Sequence, residues 1–171
     1  GTCTDFIRRA CKDADLVIAE TNTEFPFIQG NNLIHISEID YVVDEGENYA
    51  LKNAPIDVDE ECLDTYKVIG GYLSGLIPNE ATIEVGLGRL NAASLLFLEG
   101  KHDLGVHTEV YGDILMRLTE QGIITNACKS MNRGKSTFTQ VVGTPELFAW
   151  ADHNQGLEIN CCQDVLNPGT I

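Results

Sequence analysis

Three things are scarce in this sequence: basic residues, long apolar runs and paired cysteines. Eleven Lys and Arg stand against 26 Asp and Glu, for a formal net charge of −15 and a pI near 4.4. A protein this acidic lacks the basic footprint expected of general nucleic-acid binding. No stretch approaches the roughly 20 consecutive apolar residues that span a bilayer, so no membrane partner is expected. No basic segment followed by an apolar core opens the chain, and no signal peptide is read there. The six cysteines are Cys3, Cys11, Cys62, Cys128, Cys161 and Cys162, and they form neither a C-x-x-C pair nor a zinc spacing. Adjacent Cys161 and Cys162 are too close along the chain for a relaxed bridge. Reduced thiols in a cytoplasmic protein are the expectation. Internal repeats and low-complexity tracts are also missing.

What remains is an ordinary globular composition, 43% hydrophobic over 171 residues. That length allows one domain or parts of two. The chain opens without Met at "GTCTDF" and closes at "NPGTI", and both ends read as cuts through a longer protein. Ten of the 26 carboxylates fall between Glu38 and Asp64, which suggests a solvated face or a linker. The cations gather later, at Arg117, Lys129, Arg133 and Lys135. Solvated surface side chains are the expected reading there, with a local anion site as the alternative.

Hydrophobic period places the elements. "FIRRACKDA" has helical spacing through Phe6, Ile7, Ala10 and Cys11. The apolar run Leu16 to Ala19 predicts a short strand buried on both faces. Alternation through Ile34, Ile36, Ile39, Tyr41 and Val43 predicts more strand. "EGENYALKNAPIDVDE" has no period and reads as linker. Leu63, Tyr66, Ile69 and Leu73 predict a helix that stops near Gly75 and Pro78. Thr82 to Val85 is then a strand, Gly86 and Gly88 a turn, and Ala92 to Leu98 a helix. "DLGVHTEV" supplies a strand ending at Glu109, and "ILMRLTEQGII" an amphipathic helix closed by Gly122. Thr137 to Val142 is a strand, "TPELFAWADHN" a helix with Pro145 in its first turn, and "GLEINCC" a last strand. Alternating strands and helices imply an α/β fold with a mostly parallel sheet.

Two features carry chemistry. A strand–glycine–helix turn exposes backbone N–H groups that suit an anion or a developing oxyanion, and "GLGRLN" is such a turn. It lacks a third glycine and a following ribose-binding acid, so it is a poor dinucleotide fingerprint; a purely structural turn is the alternative. Glu109 ends the next predicted strand, at the edge where open α/β sheets bind ligands. Two consecutive strand ends would bring Gly86 to Leu90 and Glu109 to one crevice. A carboxylate there could serve as base, metal ligand or nucleophile, or be an ordinary solvated side chain. His102, Asp103, His107 and Asp113 lie nearby without a compelling ligand spacing, and no metal is expected.

The order "EVGLGRLN … DLGVHTEVYGD … GIITN … GKSTFTQVVGTPELFAW" resembles the acetyl-CoA hydrolase/transferase family, which includes the 4-hydroxybutyrate, butyryl and acetate CoA-transferases. "GTCTDF", "DADLVIAETNTEFP" and "IHISEIDYVV" are similar to that family's segment near the end of its first domain, so the resemblance covers nearly the whole chain. It implies a three-layer α/β/α CoA-transferase-like fold seen as a fragment of two domains. Residues 1–55 would close the first domain, 56–62 would be a linker, and 63–171 would open the second. It also implies Glu109 as nucleophile, from the family's H-[ST]-E motif. The CoA-contacting loop falls on Gly86, Leu87, Gly88, Arg89 and Leu90. The family's N-D-P asparagine lies nearest Asn167, where this chain reads "LNPG". Asn91 replaces a usual proline and Val110 a frequent methionine. Coenzyme A, as acyl-CoA, and a small carboxylate are the implied partners, and a homo-oligomer is allowed. The implied activity is CoA transfer through a glutamyl-CoA thioester. An acyl-CoA hydrolase, a non-catalytic CoA-binding domain and a sugar-phosphate isomerase using Glu109 as base are the alternatives.

Overall fold

The computed structural model describes residues 1–44 and 63–169. The linker read at 56–62, with most of the acidic run, lies outside the described residues. In chain order the elements are α1 (Ile7–Asp13), β1 (Ile18–Glu20), β2 (Tyr41–Val43), α2 (Leu63–Leu76), β3 (Thr82–Ile83), α3 (Arg89–Leu95), β4 (Gly105–Tyr111), α4 (Asp113–Glu120), β5 (Ser136–Val141), α5 (Pro145–Ala151), β6 (Leu157–Ile159) and α6 (Cys162–Val165). Short 3-10 turns occupy Ile36–Glu38 and Leu96–Leu98.

The second half builds one four-stranded parallel sheet in the order β3-β4-β5-β6. Thr82 stands beside Gly105, His107 beside Thr137, and Ser136 beside Leu157. Each strand neighbours the next in sequence, and a helix joins each pair, as parallel pairing requires. The α/β expectation with parallel sheets is met. Local chemistry explains the helices. Leu115 and Leu118, three apart on α4, are both buried, and Gly122 follows the helix at φ 75°, a left-handed stop. At α5 the Thr144 hydroxyl accepts the Leu147 N–H at 3.4 Å, with Pro145 in the first turn.

The core lies between this sheet and its helices, where Val106, Phe138, Leu157 and Ile159 meet Leu95, Leu115, Leu118 and Leu147. Each such burial stabilises by roughly 1.5–3 kcal/mol. Two buried polar side chains join the strands from within. Asn126 accepts the Val106 N–H at 2.9 Å and donates to Ser136 Oγ at 3.0 Å.

The first half attaches to this sheet by two short segments. Thr2 to Thr4 lies antiparallel along the end of β5, with Thr4 N–H on Thr139 O and Val141 N–H on Thr2 O, at 2.9 and 2.8 Å. Ile28 enters the core at 1% exposure. Around it, His153 N–H bonds Phe27 O and Ile159 N–H bonds Gln29 O, both at 2.8 Å.

Two expectations for the first half are corrected. The run Leu16 to Ala19 becomes β1, but Leu16 and Ile18 are 53% and 59% exposed rather than buried. Among the described residues β1 has one strand neighbour, β2, with Ile18 beside Tyr41, and a two-stranded ribbon cannot cover its own faces. The alternation from Ile34 to Val43 is strand only at its end. His35 Nδ1 accepts the Ser37 N–H at 3.2 Å, and Glu38 accepts the His35 N–H at 3.1 Å. This reciprocal cap turns the chain before β2.

Candidate active site

β4 supplies the first component. It runs two residues past Glu109, to Tyr111, so the glutamate stands within the strand rather than at its end. Along β4, half-buried His107 and Glu109 alternate with buried Val106, Thr108 and Val110, the two-residue period of a strand. Among the described residues the Glu109 carboxylate accepts one hydrogen bond, a long one of 3.4 Å from Gln140 Nε2. Its backbone carbonyl takes the Thr139 hydroxyl at 2.9 Å.

Two thiols share this neighbourhood. Cys162, in α6, donates to Asp5 Oδ1 at 2.7 Å. Burial, then the bond to Asp5, then the charges of Asp5 and Glu109 push its thiol up to about 12. Cys3 is exposed; burial of its sulfur and the charges of Asp5 and Glu109 raise it as well. Both thiols are therefore kept protonated and poorly nucleophilic. The same α6 receives His107, whose Nε2 lies 2.7 Å from Val165 O.

The glycine turn is the second component. Gly88 precedes α3 at φ 149°, a conformation that favours glycine. Asn91, where the resembling family has proline, donates to Gly86 O at 3.1 Å and closes the turn from inside. Leu87 and Leu90 are exposed at 55% and 39%, and Arg89 is exposed at the start of α3. A small cavity of about 50 Å³ lies between the turn and the end of β4, lined by Val85, Gly86, Gly88, Val110, Gly112 and Asp113 among others. Asp113 Oδ1 accepts the Thr144 N–H and hydroxyl at 3.2 and 2.5 Å. Mostly apolar walls and one carboxylate suit an uncharged chain better than a phosphate there.

The two components meet through the Thr108 hydroxyl. Thr108, next to Glu109, receives the Val85 N–H and donates to Val85 O, both at 2.9 Å. The turn is thereby clamped to β4. The Glu109 side chain is not part of the cavity lining; it faces Gln140 and the α6 side instead. Asn167 lies exposed in the turn after α6, where its side-chain oxygen accepts the Gly169 N–H at 2.9 Å.

Of the later cations, Arg117 and Arg133 are exposed as expected, and the reading of Lys129 is corrected. Lys129 is 3% exposed. Its ammonium donates to Val106 O and Lys135 O at 2.7 Å and to Thr137 Oγ1 at 3.1 Å. Lys135 lies 4.0 Å from Glu158. Lys129 therefore knits β4 to β5 and is not a solvated side chain. No hydrophobic period foretells this, because its partners lie on two adjacent strands, Val106 in β4 and Lys135 and Thr137 at the start of β5. Among the described residues no group of three or more His, Cys, Asp and Glu could hold a metal ion, and no helix is long and apolar enough to cross a membrane.

No protein-family model matches the chain. The 4-hydroxybutyrate coenzyme A transferase of Clostridium kluyveri is 36% identical over 171 residues, 100% of this chain and 39% of that protein. A succinyl-CoA:cyclohexane-1-carboxylate CoA transferase of Geobacter metallireducens is 32% identical over 167 residues, 97% of this chain and 37% of its own length. Among solved structures, the 4-hydroxybutyrate CoA-transferase of Porphyromonas gingivalis superposes with a TM-score of 0.91 at 30% identity, over 99% of this chain and 42% of that one. This chain thus spans about two fifths of these proteins.

Proposed function

We propose, on the premise that this chain is a homologue of CoA-transferases, that its protein moves coenzyme A from an acyl-CoA to a small carboxylic acid through Glu109. In this reading residues 1–55 close one CoA-transferase-like domain and residues 63–171 open a second. The observation that carries the reading is the state of Glu109: half-buried, with one long hydrogen bond of 3.4 Å on its carboxylate. A carboxylate in water is a modest nucleophile because it is strongly hydrated. Partial burial removes some of that shell, and a rigid strand aims what remains.

The chemistry is a double acyl exchange. A Glu109 oxygen attacks the thioester carbonyl, the C–S bond breaks, and CoA leaves as thiolate, giving an acyl-glutamyl mixed anhydride. The thiolate attacks the glutamyl carbonyl, which releases the first acid and leaves a glutamyl-CoA thioester. The acceptor carboxylate then attacks that thioester, and the thiolate returns to the new acyl carbonyl. Glu109 is regenerated, and the kinetics are ping-pong. The turn at Gly86, Leu87, Gly88, Arg89 and Leu90 would hold part of the cofactor; the apolar cavity beside it favours the uncharged pantetheine segment. Asn167 would contact CoA from the turn after α6. Most of the binding energy would come from these remote contacts and be realised in the transition state.

The test uses the full-length protein. Incubation with an acyl-CoA and no acceptor should leave CoA mass on the peptide containing Glu109, and Glu109→Gln should lower turnover by at least about 10³-fold. Full turnover in Glu109→Gln, or an unlabelled peptide during turnover, would refute the role.

A further inference from the structure

We infer that His107 is a positioning residue that ties the strand carrying Glu109 to α6 and to the Asn167 turn beyond it. The inference rests on the CoA-transfer reading and deepens it. His107 Nε2 is 2.7 Å from Val165 O. A carbonyl oxygen only accepts, so Nε2 carries the hydrogen. The neutral ring is then the Nε2–H tautomer, with Nδ1 left as an acceptor.

His107 and Glu109 are two apart on β4, so their side chains leave one face about 7 Å apart. α6 lies on that face, with Cys162 close enough to feel the Glu109 charge and wholly buried Val165 against His107. A helix of four residues, Cys162–Val165, cannot hold its own orientation. At its start, Cys162 N–H bonds Asp5 O at 3.1 Å, which ties α6 to the amino-terminal arm, while at its end Val165 N–H to Cys161 O and Leu166 N–H to Cys162 O are local. The His107 bond reaches across 58 residues and sets the last residue of α6 against the sheet, at the end that leads into the Asn167 turn. Asn167 follows Val165 by two residues and inherits that placement. Without the imidazole, the turn would be free to shift relative to β4 and Glu109, and a shift of about 1 Å can cost 10²-fold in rate.

Full-length His107→Leu and His107→Gln proteins, compared with wild type and Glu109→Gln, test this. In His107→Leu, kcat should fall about 10- to 100-fold, with a smaller change in KM for acyl-CoA and faster hydrogen exchange at the Val165 and Leu166 amides. His107→Gln keeps an N–H that reaches the same carbonyl, and it should recover most of kcat and the exchange protection. Imidazole nitrogen NMR of wild type should show the Nε2–H tautomer. Unchanged kcat in His107→Leu would overturn the inference. So would a His107→Gln protein as slow as His107→Leu, which would assign the ring to proton transfer, or a dominant Nδ1–H tautomer. Should His107→Leu not fold, the tautomer and the His107→Gln rate decide. Wild-type turnover in Glu109→Gln would sink the CoA-transfer reading alone, since the exchange and tautomer results do not depend on it.

Discussion

An ammonium removed from water needs each of its hydrogens accepted, and Lys129 meets that demand with two carbonyls and one hydroxyl. Its stem lies over Gly105, where an added Cβ would come within 2.5 Å of Lys129 Cγ and 2.8 Å of Thr82 Oγ1. The glycine at the start of β4 is therefore part of the lysine's site. Burial lowers the ammonium from its ordinary 10.5 to about 8, against a smaller opposing pull from Glu158. Between about pH 8 and 10.5 the unfolded chain then binds more protons at this lysine than the folded one, so this group's contribution to stability rises with pH across that window. Cys162 works oppositely from about pH 9 upward, because its folded thiol is raised and the unfolded chain ionises first. The lysine is isolated by comparison with Lys129→Met. That variant should be destabilised at pH 7 by roughly 1–3 kcal/mol for each carbonyl left unpaired, and its deficit relative to wild type should widen between pH 8 and 10.5. Urea denaturation at several pH values measures both.

Among elements, the amino-terminal arm makes the clearest claim. It adds an antiparallel strip, Thr2 to Thr4, where β6 stops pairing with β5, and it plugs the core with Ile28. The last pairings of β5 are next to Gln140, the residue that contacts Glu109. The arm thus borders the site as well as the core. Ile28→Ala should cost about 2–5 kcal/mol, the range for a large-to-small change at a buried position. Gly30→Ala should also be strongly destabilising. Gly30 sits at φ 149°, and a Cβ there would overlap the Ile159 carbonyl oxygen. Both variants are checked by thermal melts. The added expectation is faster hydrogen exchange at Thr4, Val141 and Ile159, whose amides the arm donates or receives. Unaltered protection at Val141 in Ile28→Ala would mean that the arm docks without its plug.

For the molecule as a whole, the controlling quantity is a net charge of −15 over 171 residues. Like charges repel most in the compact state, and salt screens that repulsion. The Debye length falls from about 30 Å at 0.01 M to about 8 Å at physiological ionic strength. Stability should therefore increase over that range, seen as a higher urea midpoint at constant slope. A midpoint that falls with salt would mean that the ion pairs, such as Lys67 with Asp64 at 3.0 Å, outweigh the general repulsion. The charge also bears on the proposed substrate. An acyl-CoA brings negative phosphates to an acidic protein, so its KM should decrease as salt rises at low ionic strength.

The sequence by itself determined the order of elements in the second half, because strand and helix periods are local and so are their stops. The strand carrying Val106 and Glu109, the Leu115 to Leu118 helix and the Gly86–Gly88 turn are legible from spacing alone, though spacing ends that strand at Glu109 and the structure carries it to Tyr111. The link to CoA-transferases was legible from motif order. Spacing could not reveal where an element is covered, and for that reason Leu16 and Ile18 were expected inside and stand outside. Only the tertiary structure decided that Lys129 is buried, that Thr2 to Thr4 extends the sheet, that Glu109 faces Gln140 instead of the glycine cavity, and that His107 grips Val165. Each of these depends on groups brought together from distant positions, such as Thr4 and Thr139, 135 residues apart. The desolvation and pairing that set such contacts arise only once the chain has closed on itself.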